Sequence, residues 1–328
     1  MKKILFNTHL YNDFPEEIEK LKESHPGTSF VYADSISGLK REIRDAHAVV
    51  WGHPKAEILE EASELEVIFI PFTGVNRLDF EYLRRRGITV SNNHGNSSIV
   101  AERALALAMA LTGRVVEFHN DMKEGDWHRR DNSKNPFDFW TSIQNKPVSI
   151  LGCGGIGRNI ARLMKGFKCN ILGFKREVTK RVDGFDQLTS DLTAALEFGE
   201  IIFLALPLTE STQGIINSGN VELLSNKFLI NVARGELIDE ETLYTAVSNH
   251  ILSGAAIDSW YNYPNRKAPY ALPSRYDLHR FKNVIVSPHA ASHSIEGKIF
   301  QLRHTIDNIR AYLENGQPHD IVDLEHGY

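Results

Sequence analysis

The feature that most constrains the fold of this chain is a glycine-rich turn between two segments of different periodicity. Residues 152–157 read G-C-G-G-I-G and follow the apolar run VSIL. The next segment places Ile156, Ile160, Leu163 and Phe167 on one side of a helix, and a second apolar run, NILGF, comes after it. This order predicts a βαβ unit whose turn and helix N-terminus bind the pyrophosphate of a dinucleotide. A structural turn without a ligand is the alternative.

Each glycine of this turn has its own physical task. Gly152 permits the tight turn, Gly154 lets the backbone approach a phosphate, and Gly157 lets the helix lie close to the strand. The sequence therefore assigns cofactor binding to Gly152, Gly154, Gly155, Ile156 and Gly157.

The residues after the second strand bear on which dinucleotide binds. An acidic side chain about 20 residues after the turn normally accepts hydrogen bonds from the ribose hydroxyls of NAD. Lys175 lies 18 residues after Gly157, and Arg176 follows it. Two cations offer charge-assisted donors to a 2′-phosphate, so the sequence favours NADP over NAD. The alternative is that both side chains point into solvent and discriminate only weakly between NADP and NAD.

Short apolar runs alternate with helical patterns along the chain, which is typical of an α/β protein with doubly wound parallel sheets. KILFN, SFVYA, AVVWG and VIFIP predict four strands before residue 90, and further runs follow from Pro147. A length of 328 residues favours two lobes. The Ala/Leu-rich stretch in Asn96–Gly125 is apolar nearly all round, so it either crosses between lobes or packs against a second subunit. One face of a C-terminal helix is predicted from Ile299, Leu302, Ile306, Ile309 and Leu313.

Composition argues against several classes of protein. A net charge of −5 and the absence of a long basic run argue against nucleic-acid binding. The N-terminal apolar run is too short for a signal peptide, and ALALAMAL is far short of the roughly 20 residues that span a bilayer. Cys153 and Cys169 fit a reducing compartment and provide neither a disulfide framework nor a metal cluster. We therefore expect a cytoplasmic protein with no metal and no membrane partner.

Four further stretches follow the glycine turn in a fixed order. They are LALPLTESTQGIIN (204–217), INVARGELIDEETL (230–243), GAAIDSWYNYP (254–264) and VIVSPHAASHS (284–294). Their order and spacing resemble the D-isomer-specific 2-hydroxyacid dehydrogenase family, which includes glyoxylate/hydroxypyruvate reductase and formate dehydrogenase. The N-terminal part matches more loosely, through FTGVNRLDFEYLRRRGITVSNNHGNSSIVAE.

The resemblance implies a fold and an assembly. Residues 1–95 plus 295–328 would form a flavodoxin-like substrate domain. An NAD(P)-binding Rossmann domain, residues 96–294, would be inserted into it, with the active site in the cleft. The helix in Asn96–Gly125 would lie in the interface of a homodimer.

Two residues match the catalytic pair of this family. Arg234 in NVARG matches the catalytic arginine, whose guanidinium can bind a carboxylate bidentately and polarise the adjacent carbonyl. His289 in SPHAAS matches the general acid/base, since an imidazole with a pKa near ~6.5 can give a proton to a 2-oxo oxygen as hydride arrives. Each residue taken alone would more often be structural.

The resemblance also implies cofactor and substrate contacts. Asp258 would hold the nicotinamide carboxamide, and the Val232 carbonyl would accept from the same amide. Pro207 and Thr212 would lie in a loop against the cofactor.

The substrate side of the site is implied by three residues. The backbone N–H groups of Gly74 and Val75 would receive the substrate carboxylate. Asn96 matches a substrate-binding asparagine of formate dehydrogenases. Asn96 would also be a good N-cap for a helix that begins at Ser97 or Ser98.

The chain departs from the family pattern at Tyr263. A glutamate normally stands five residues after the aspartate that matches Asp258, and it is hydrogen-bonded to the catalytic histidine. Tyr263 can orient His289 with its hydroxyl but carries no charge near neutral pH, whereas a carboxylate would raise the histidine pKa. The sequence predicts that reduction weakens at a lower pH than in a glutamate-bearing relative. The alternative is that Tyr263 reshapes the pocket for a bulky or aromatic substrate.

These residues predict an NAD(P)-dependent oxidoreductase that reduces a small 2-oxo acid to its D-2-hydroxy acid. One alternative is a nucleotide-sensing binding protein of the same fold, as the corepressor branch of the family shows is possible. The retention of both Arg234 and His289 speaks against such a sensor. A second alternative is formate or phosphite oxidation, which Asn96 and the missing glutamate suggest. The segment Tyr261–Phe281, rich in aromatic residues and prolines, is expected to line or cover the cleft.

Overall fold

The computed structural model describes residues 1–128 and 139–328, which divide into two units of α/β structure. The first unit is Met1–Asn96 together with Ile295–Tyr328, and the second is Ser97–Ser294. Each unit contains one parallel sheet flanked by helices. The predicted α/β fold class is therefore confirmed.

The first unit contains a five-stranded sheet in the order β2-β1-β3-β4-β5, with every neighbouring pair parallel. This is the strand order of flavodoxin-like folds. Its strands are β1 Lys2–Asn7, β2 Thr28–Tyr32, β3 Ala48–Trp51, β4 Val67–Phe69 and β5 Thr89–Ser91. Its first five helices are α1 Leu10–Asp13, α2 Pro15–Ser24, α3 Ile36–Glu42, α4 Ala56–Leu59 and α5 Phe80–Arg86.

The C-terminal helix α11, Ile295–Asn315, returns to this first sheet. Leu302, Ile306 and Ile309 are at most 3% exposed and share a core cluster with Ile4 and Phe6 of β1. The predicted apolar helix face is confirmed at these positions, because it covers one face of a sheet whose strands are apolar on both sides.

The second unit contains a seven-stranded parallel sheet in the order β12-β11-β10-β9-β6-β7-β8. Counted from β6, this is the Rossmann order 3-2-1-4-5-6 with one strand added. The strands are β6 Pro147–Leu151, β7 Asn170–Phe174, β8 Gln187–Thr189, β9 Ile201–Leu204, β10 Phe228–Asn231, β11 Gly254–Ile257 and β12 Val284–Val286. The helices are α6 Ser97–Thr112, α7 Val115–Lys123, α8 Gly155–Lys165, α9 Leu192–Phe198 and α10 Glu240–Ser248, with 3-10 turns at Val221–Leu224, Gly235–Leu237 and Leu278–Arg280.

The segment Asn96–Gly125 forms two helices instead of one continuous helix, and its Ala/Leu-rich part is α6. The chain turns between α6 and α7 at Gly113 and Arg114, and Arg114 has a left-handed φ of 50°. A Cβ at Gly113 would lie 2.6 Å from the carbonyl oxygen of Met109, so a larger residue would not fit this close return of the chain. The break changes the direction of the backbone after α6.

Two strands were not predicted from the sequence. β5 and β8 have three residues each and lie at sheet edges.

No helix in residues 1–128 or 139–328 combines the length and the apolar content needed to cross a membrane.

Candidate active site

The side chains predicted to be functional in the second unit follow the carboxyl ends of neighbouring strands. Arg234 comes after β10, Asp258 directly after β11 and His289 after β12, and these three strands are adjacent in the sheet. The glycine turn follows β6 at the same edge. Ligands of open parallel sheets bind at this edge, so the sheet alone brings the predicted dinucleotide turn and the predicted catalytic pair to one side.

The glycine turn has the geometry that a phosphate needs. Gly152 has a φ of 112°, and a Cβ there would lie 2.4 Å from the Ala205 carbonyl oxygen. A Cβ at Gly157 would lie 1.9 Å from the Gly152 carbonyl oxygen, whereas one at Gly154 would meet nothing within 4 Å. Gly152 and Gly157 are thus required by close packing, and Gly154 leaves open space.

The helix N-terminus after this turn is not capped by the protein. Gly154 is the N-cap of α8 and supplies no side-chain hydrogen bond. The first N–H groups of α8 therefore remain available to an anion. Burial raises the pKa of the Cys153 thiol to about 11, so the turn carries no negative charge near neutral pH. These residues fit a pyrophosphate.

Lys175 and Arg176 lie at the carboxyl end of β7, where the ribose is expected. Lys175 follows the strand directly and its N–H donates to the Thr189 carbonyl at 3.0 Å. Arg176 is exposed, and its Nε lies 4.0 Å from the Glu177 carboxylate. The backbone of Lys175 is fixed and the residue is half-buried, whereas Arg176 is exposed.

Arg234 is held in an extended conformation by the strands on either side. The Asn231 side chain donates to the Arg234 carbonyl at 2.8 Å and accepts from the Ala233 N–H at 3.0 Å. A Cβ at Gly235 would lie 2.7 Å from the backbone of Trp260. The half-buried Arg234 side chain therefore starts from a backbone with little freedom.

Asp258 is fully buried and supports the loop that carries His289. Its carboxylate accepts from the Ser287 hydroxyl and from the N–H groups of Ala290 and Ala291, the latter two at 3.0 Å. Arg103 of α6 donates to the Ser287 hydroxyl oxygen at 3.2 Å. The loop is thus fixed on both sides of His289.

His289 has a left-handed backbone conformation, with a φ of 55°. Such a conformation is costly for a residue with a side chain and persists when its surroundings hold it, here through the Asp258 hydrogen bonds. Burial lowers the pKa of His289, Asp258 opposes this shift, and the charges of Arg234 and His293 add to it. A group with a lowered pKa releases its proton readily, as a proton donor to an oxyanion must.

Tyr263 contacts His289 with its ring and not with its hydroxyl. The two ring centroids are 5.4 Å apart at an angle of 50°. The hydroxyl accepts from the Trp260 N–H at 3.0 Å, and among the described residues no hydrogen bond joins it to His289, so the expected orientation of His289 by this hydroxyl is not seen. The cause is local: the chain turns back within three residues, which brings the phenol onto its own backbone. Burial raises the pKa of Tyr263.

The remaining residues predicted to bind the cofactor lie in loops at the same edge. The Thr212 hydroxyl donates to the Pro207 carbonyl at 2.6 Å and accepts from the Thr209 N–H at 2.8 Å, which fixes the loop after β9. Val232 is buried, and among the described residues no hydrogen bond to its carbonyl is seen. That carbonyl retains its full capacity to accept.

Gly74 and Val75 belong to the first unit, after β4. The loop is fixed by hydrogen bonds from the Thr73 hydroxyl to the Asn93 carbonyl at 2.7 Å and from the Asn92 amide to the Thr73 carbonyl at 2.8 Å. In the described part of the chain, the backbone N–H groups of Gly74 and Val75 donate to no protein acceptor. Two such donors suit a carboxylate.

Asn96 is 4% exposed, and its side-chain oxygen has no hydrogen-bond partner. The capping role considered for Asn96 requires that oxygen to accept from a backbone N–H, which it does not do here. A buried unpaired acceptor is costly unless a ligand or a water satisfies it.

Three supporting residues were missed by the sequence analysis: Asn231, Ser287 and Arg103. Asn231 ends the apolar run of β10, and Ser287 directly follows the run of β12. A polar residue that closes a buried strand is the signal that could have identified both, because it must find partners at the sheet edge. Arg103 lies within α6 and does not close a strand, so the sequence contained no comparable signal for it.

One group of potential metal ligands is found in the described part of the chain, namely Asp121, Asp126 and His128. The Asp121 carboxylate already accepts from Lys282 Nζ at 3.0 and 3.1 Å, and His128 Nε2 lies 2.9 Å from it. The ammonium group competes with a cation, so we regard this group as an ion-pair cluster.

The segment Tyr261–Phe281 forms a closed surface loop. The Asn262 N–H donates to the Pro273 carbonyl at 3.0 Å, which closes residues 262–273 into a loop within this segment. The Glu240 carboxylate anchors the end by accepting from the Ser274 hydroxyl at 2.8 Å and the Arg275 N–H at 2.9 Å. These hydrogen bonds fix the backbone of the segment where the loop closes, at Asn262 and at residues 273–275.

A Rossmann sheet with an uncapped glycine turn, and with an arginine and a histidine after neighbouring strands, defines a nicotinamide-dependent dehydrogenase. The model of the D-isomer specific 2-hydroxyacid dehydrogenase family, NAD binding domain, matches residues 105–291 of this chain. The chain therefore belongs to that family of oxidoreductases. The resemblance that the four sequence stretches indicated is confirmed.

Individual relatives agree with this assignment. The chain is 30% identical over 298 residues to a glyoxylate reductase of Thermofilum pendens, covering 88% of this chain and 84% of the relative. A crystal structure of a Pyrococcus horikoshii protein superimposes with a TM-score of 0.83 at 27% identity, covering 98% of this chain and 95% of that one. An NADPH-dependent glyoxylate/hydroxypyruvate reductase of Sinorhizobium meliloti superimposes with a TM-score of 0.77 at 23% identity, covering 99% and 98%, and supports the fold.

Proposed function

We propose that this chain reduces a small 2-oxo acid, such as glyoxylate or hydroxypyruvate, to its D-2-hydroxy acid, with NADPH favoured over NADH. The observation that supports this proposal most directly is the placement of Arg234 and His289. They follow neighbouring parallel strands of one sheet, and the Arg234 charge is close enough to lower the pKa of His289. The glyoxylate reductases among the relatives suggest the size of the substrate.

The chemistry assigned to the protein consists of binding, polarisation and proton transfer. The nicotinamide cofactor supplies the hydride for reduction and accepts it in oxidation. Arg234 binds the substrate carboxylate and polarises the adjacent carbonyl, aided by the N–H groups of Gly74 and Val75. His289 holds the proton that the carbonyl oxygen takes up as it becomes a hydroxyl, and removes it in the reverse direction.

The test is a panel of 2-oxo acids, with glyoxylate and hydroxypyruvate first, assayed with NADPH and with NADH. We expect turnover of at least one of them and a higher kcat/KM with NADPH. Lys175→Asp should lower the NADPH/NADH ratio by about 10- to 100-fold, since a charge-assisted hydrogen bond to a phosphate is lost and a repulsive charge is added. Lys298→Asp, the same charge change on α11, should leave the ratio unchanged.

The alternatives have distinct outcomes in this panel. Tight cofactor binding without turnover of any acid would favour the sensor. Formate and phosphite, each assayed with NADP⁺ and with NAD⁺, complete the panel, and turnover restricted to these two would favour a formate- or phosphite-type dehydrogenase. An NADPH/NADH ratio near one in the wild-type protein would contradict the cofactor assignment while leaving the reaction in place.

The proposal includes a homodimer formed through the helices after Asn96. Large apolar side chains in this part of the second unit are exposed at Met109, Val115, Val116, Met122, Trp127, Phe139 and Trp140. Exposed apolar side chains concentrated in one stretch of a water-soluble chain are typical of an association surface. A second copy of this chain would cover them.

Tyr263→Glu should move the pH dependence of reduction to higher pH. The pKa of His289 is lowered, chiefly by burial, so the protonated form needed for reduction is lost at a lower pH than for an ordinary histidine. A carboxylate at residue 263, where the ring now contacts His289, would favour imidazolium and raise that pKa. The measurement is kcat/KM for the 2-oxo acid between pH 5 and 8. Tyr263→Gln is the neutral control, and an unmoved profile in Tyr263→Glu would contradict the electrostatic role.

A further inference from the structure

Asn93 is a buried polar residue between α11 and the loop that follows β4. It lies two residues after β5 and is 1% exposed. Burying an amide side chain costs free energy unless its donors and its acceptor find partners. An asparagine at this position therefore requires a set of hydrogen bonds, and those bonds decide what the residue holds together.

The side chain of Asn93 is fully paired. Its amide nitrogen donates to the Gln301 carbonyl at 2.6 Å and to the Thr305 hydroxyl oxygen at 2.8 Å, and both acceptors are on α11. Its side-chain oxygen accepts from the Gly95 N–H at 3.0 Å. Both amide donors and the oxygen are thus in use, which anchors Asn93 to residues 208 and 212 positions further along the chain.

The backbone of Asn93 holds the loop after β4. Its N–H donates to the Phe72 carbonyl at 3.2 Å, and its carbonyl accepts from the Thr73 hydroxyl at 2.7 Å. Both bonds are made to the two residues directly before Gly74. Asn93 therefore connects α11, through its side chain, to this loop, through its backbone.

The N–H groups of Gly74 and Val75 depend on this connection for their direction. In the described part of the chain they donate to no protein acceptor, so the backbone around them sets where they point. Donors that are held in place before a carboxylate arrives bind it more tightly than donors that must be ordered on binding. A hydrogen bond also weakens steeply as its donor turns away from the acceptor, so the loop must keep its orientation for both groups to reach one carboxylate.

We propose that Asn93 is a positioning residue for the substrate carboxylate: it ties the loop after β4 to α11 and so directs the N–H groups of Gly74 and Val75 at a single anion. This role rests on the proposed function, in which those two groups receive the carboxylate. Asn93 does not touch the substrate, because its own side-chain groups are paired within the protein. Gln301 and Thr305 act through Asn93.

The test is Asn93→Ser, which keeps an oxygen able to accept from the Gly95 N–H and removes both amide donors. Oxamate is the probe, since this analogue of a 2-oxo acid has the carboxylate but is not reduced. With NADPH present, Asn93→Ser should raise the Kd of oxamate and the KM of the 2-oxo acid about tenfold, the size of one lost hydrogen bond to a charged group. The Kd of NADPH and kcat should change by less than about twofold, because the lost interaction is the same in the ground state and the transition state.

Two further variants on α11 are matched to Asn93→Ser. Thr305→Val keeps the shape of its side chain, removes one of the two acceptors of the Asn93 amide and should raise the Kd of oxamate about threefold. Tyr312→Phe removes another buried hydrogen bond of the same helix, from the Tyr312 hydroxyl to the Glu66 carboxylate at 2.6 Å. Glu66 precedes β4, whereas the loop follows it, so Tyr312→Phe should lower Tm and leave the Kd of oxamate unchanged.

The readouts distinguish a positioning role from a structural one. An oxamate Kd of Asn93→Ser within about twofold of wild type would overturn the role of Asn93 and leave the proposed function in place. Equal weakening of oxamate and NADPH binding, or an equal rise of the oxamate Kd in Tyr312→Phe, would make Asn93 a structural residue only. If Asn93→Ser does not fold, Thr305→Val decides by the same readouts. A wild-type protein that neither reduces a 2-oxo acid nor binds oxamate would show that the proposed function itself is wrong.

Discussion

Replacing His289 by asparagine is expected to lower kcat for 2-oxo acid reduction by about 10²- to 10⁴-fold, the range contributed by a positioned proton donor. Asparagine is the suitable substitution because it tolerates a left-handed backbone better than most residues, and His289 has a φ of 55°. The hydrogen bonds from Ala290 and Ala291 to Asp258 should then persist. The loss can be attributed to the missing imidazole.

The measurement is the steady-state rate together with the Kd of NADPH, which should stay close to that of wild type. His293→Asn is the matched control, since it removes an exposed histidine from the same loop and should change kcat little. A His289→Asn enzyme that keeps kcat within threefold of wild type would show that another group donates the proton.

Replacing Arg234 by glutamine should lower kcat/KM for the 2-oxo acid by about 10²- to 10³-fold, comparable to the loss of one donor that stabilises a developing oxyanion. Arg234→Lys should recover only part of this loss. A lysine restores the charge but cannot form two parallel hydrogen bonds to a carboxylate. The backbone at this position is held by Asn231 and by the packing of Gly235 on Trp260, so neither substitution should move it.

Initial rates at varied substrate and saturating NADPH provide the test. Glu236→Gln, which changes an exposed charge two residues away, should have little effect. If Arg234→Gln raises only the Kd of NADPH and leaves the response to the 2-oxo acid intact, Arg234 belongs to the cofactor site and the proposed mechanism is wrong. Full recovery of kcat/KM in Arg234→Lys would show that the positive charge is sufficient and that two parallel hydrogen bonds are not needed.

The sequence predicted the buried strands because a strand covered on both faces must be apolar along its whole length, as Ile201–Leu204 is. It did not predict β5 and β8. Thr89–Ser91 and Gln187–Thr189 have only three residues each, two of them polar, and each strand pairs with a neighbour on one side only. Their strand structure comes from the adjacent strand and not from their own composition.

The candidate site was predictable where the chemistry depends on local backbone geometry. The glycine turn is an example, since its tasks follow from the order of residues along one turn. The support of His289 depends on tertiary contacts: Asp258 meets Ala290 and Ala291 only because β11 and β12 are neighbours. The position of the Tyr263 hydroxyl on the Trp260 N–H likewise depends on a local fold that alternating polarity does not encode.

The anchoring of the His289 loop has a consequence for how this enzyme can be engineered. Asp258 and Ser287 secure the loop from the sheet, whereas Tyr261–Phe281 is closed at its own base by Asn262 and Glu240. Length and composition near the tip of that segment, around the almost fully solvated Tyr270, can therefore be varied without disturbing the backbone that holds His289.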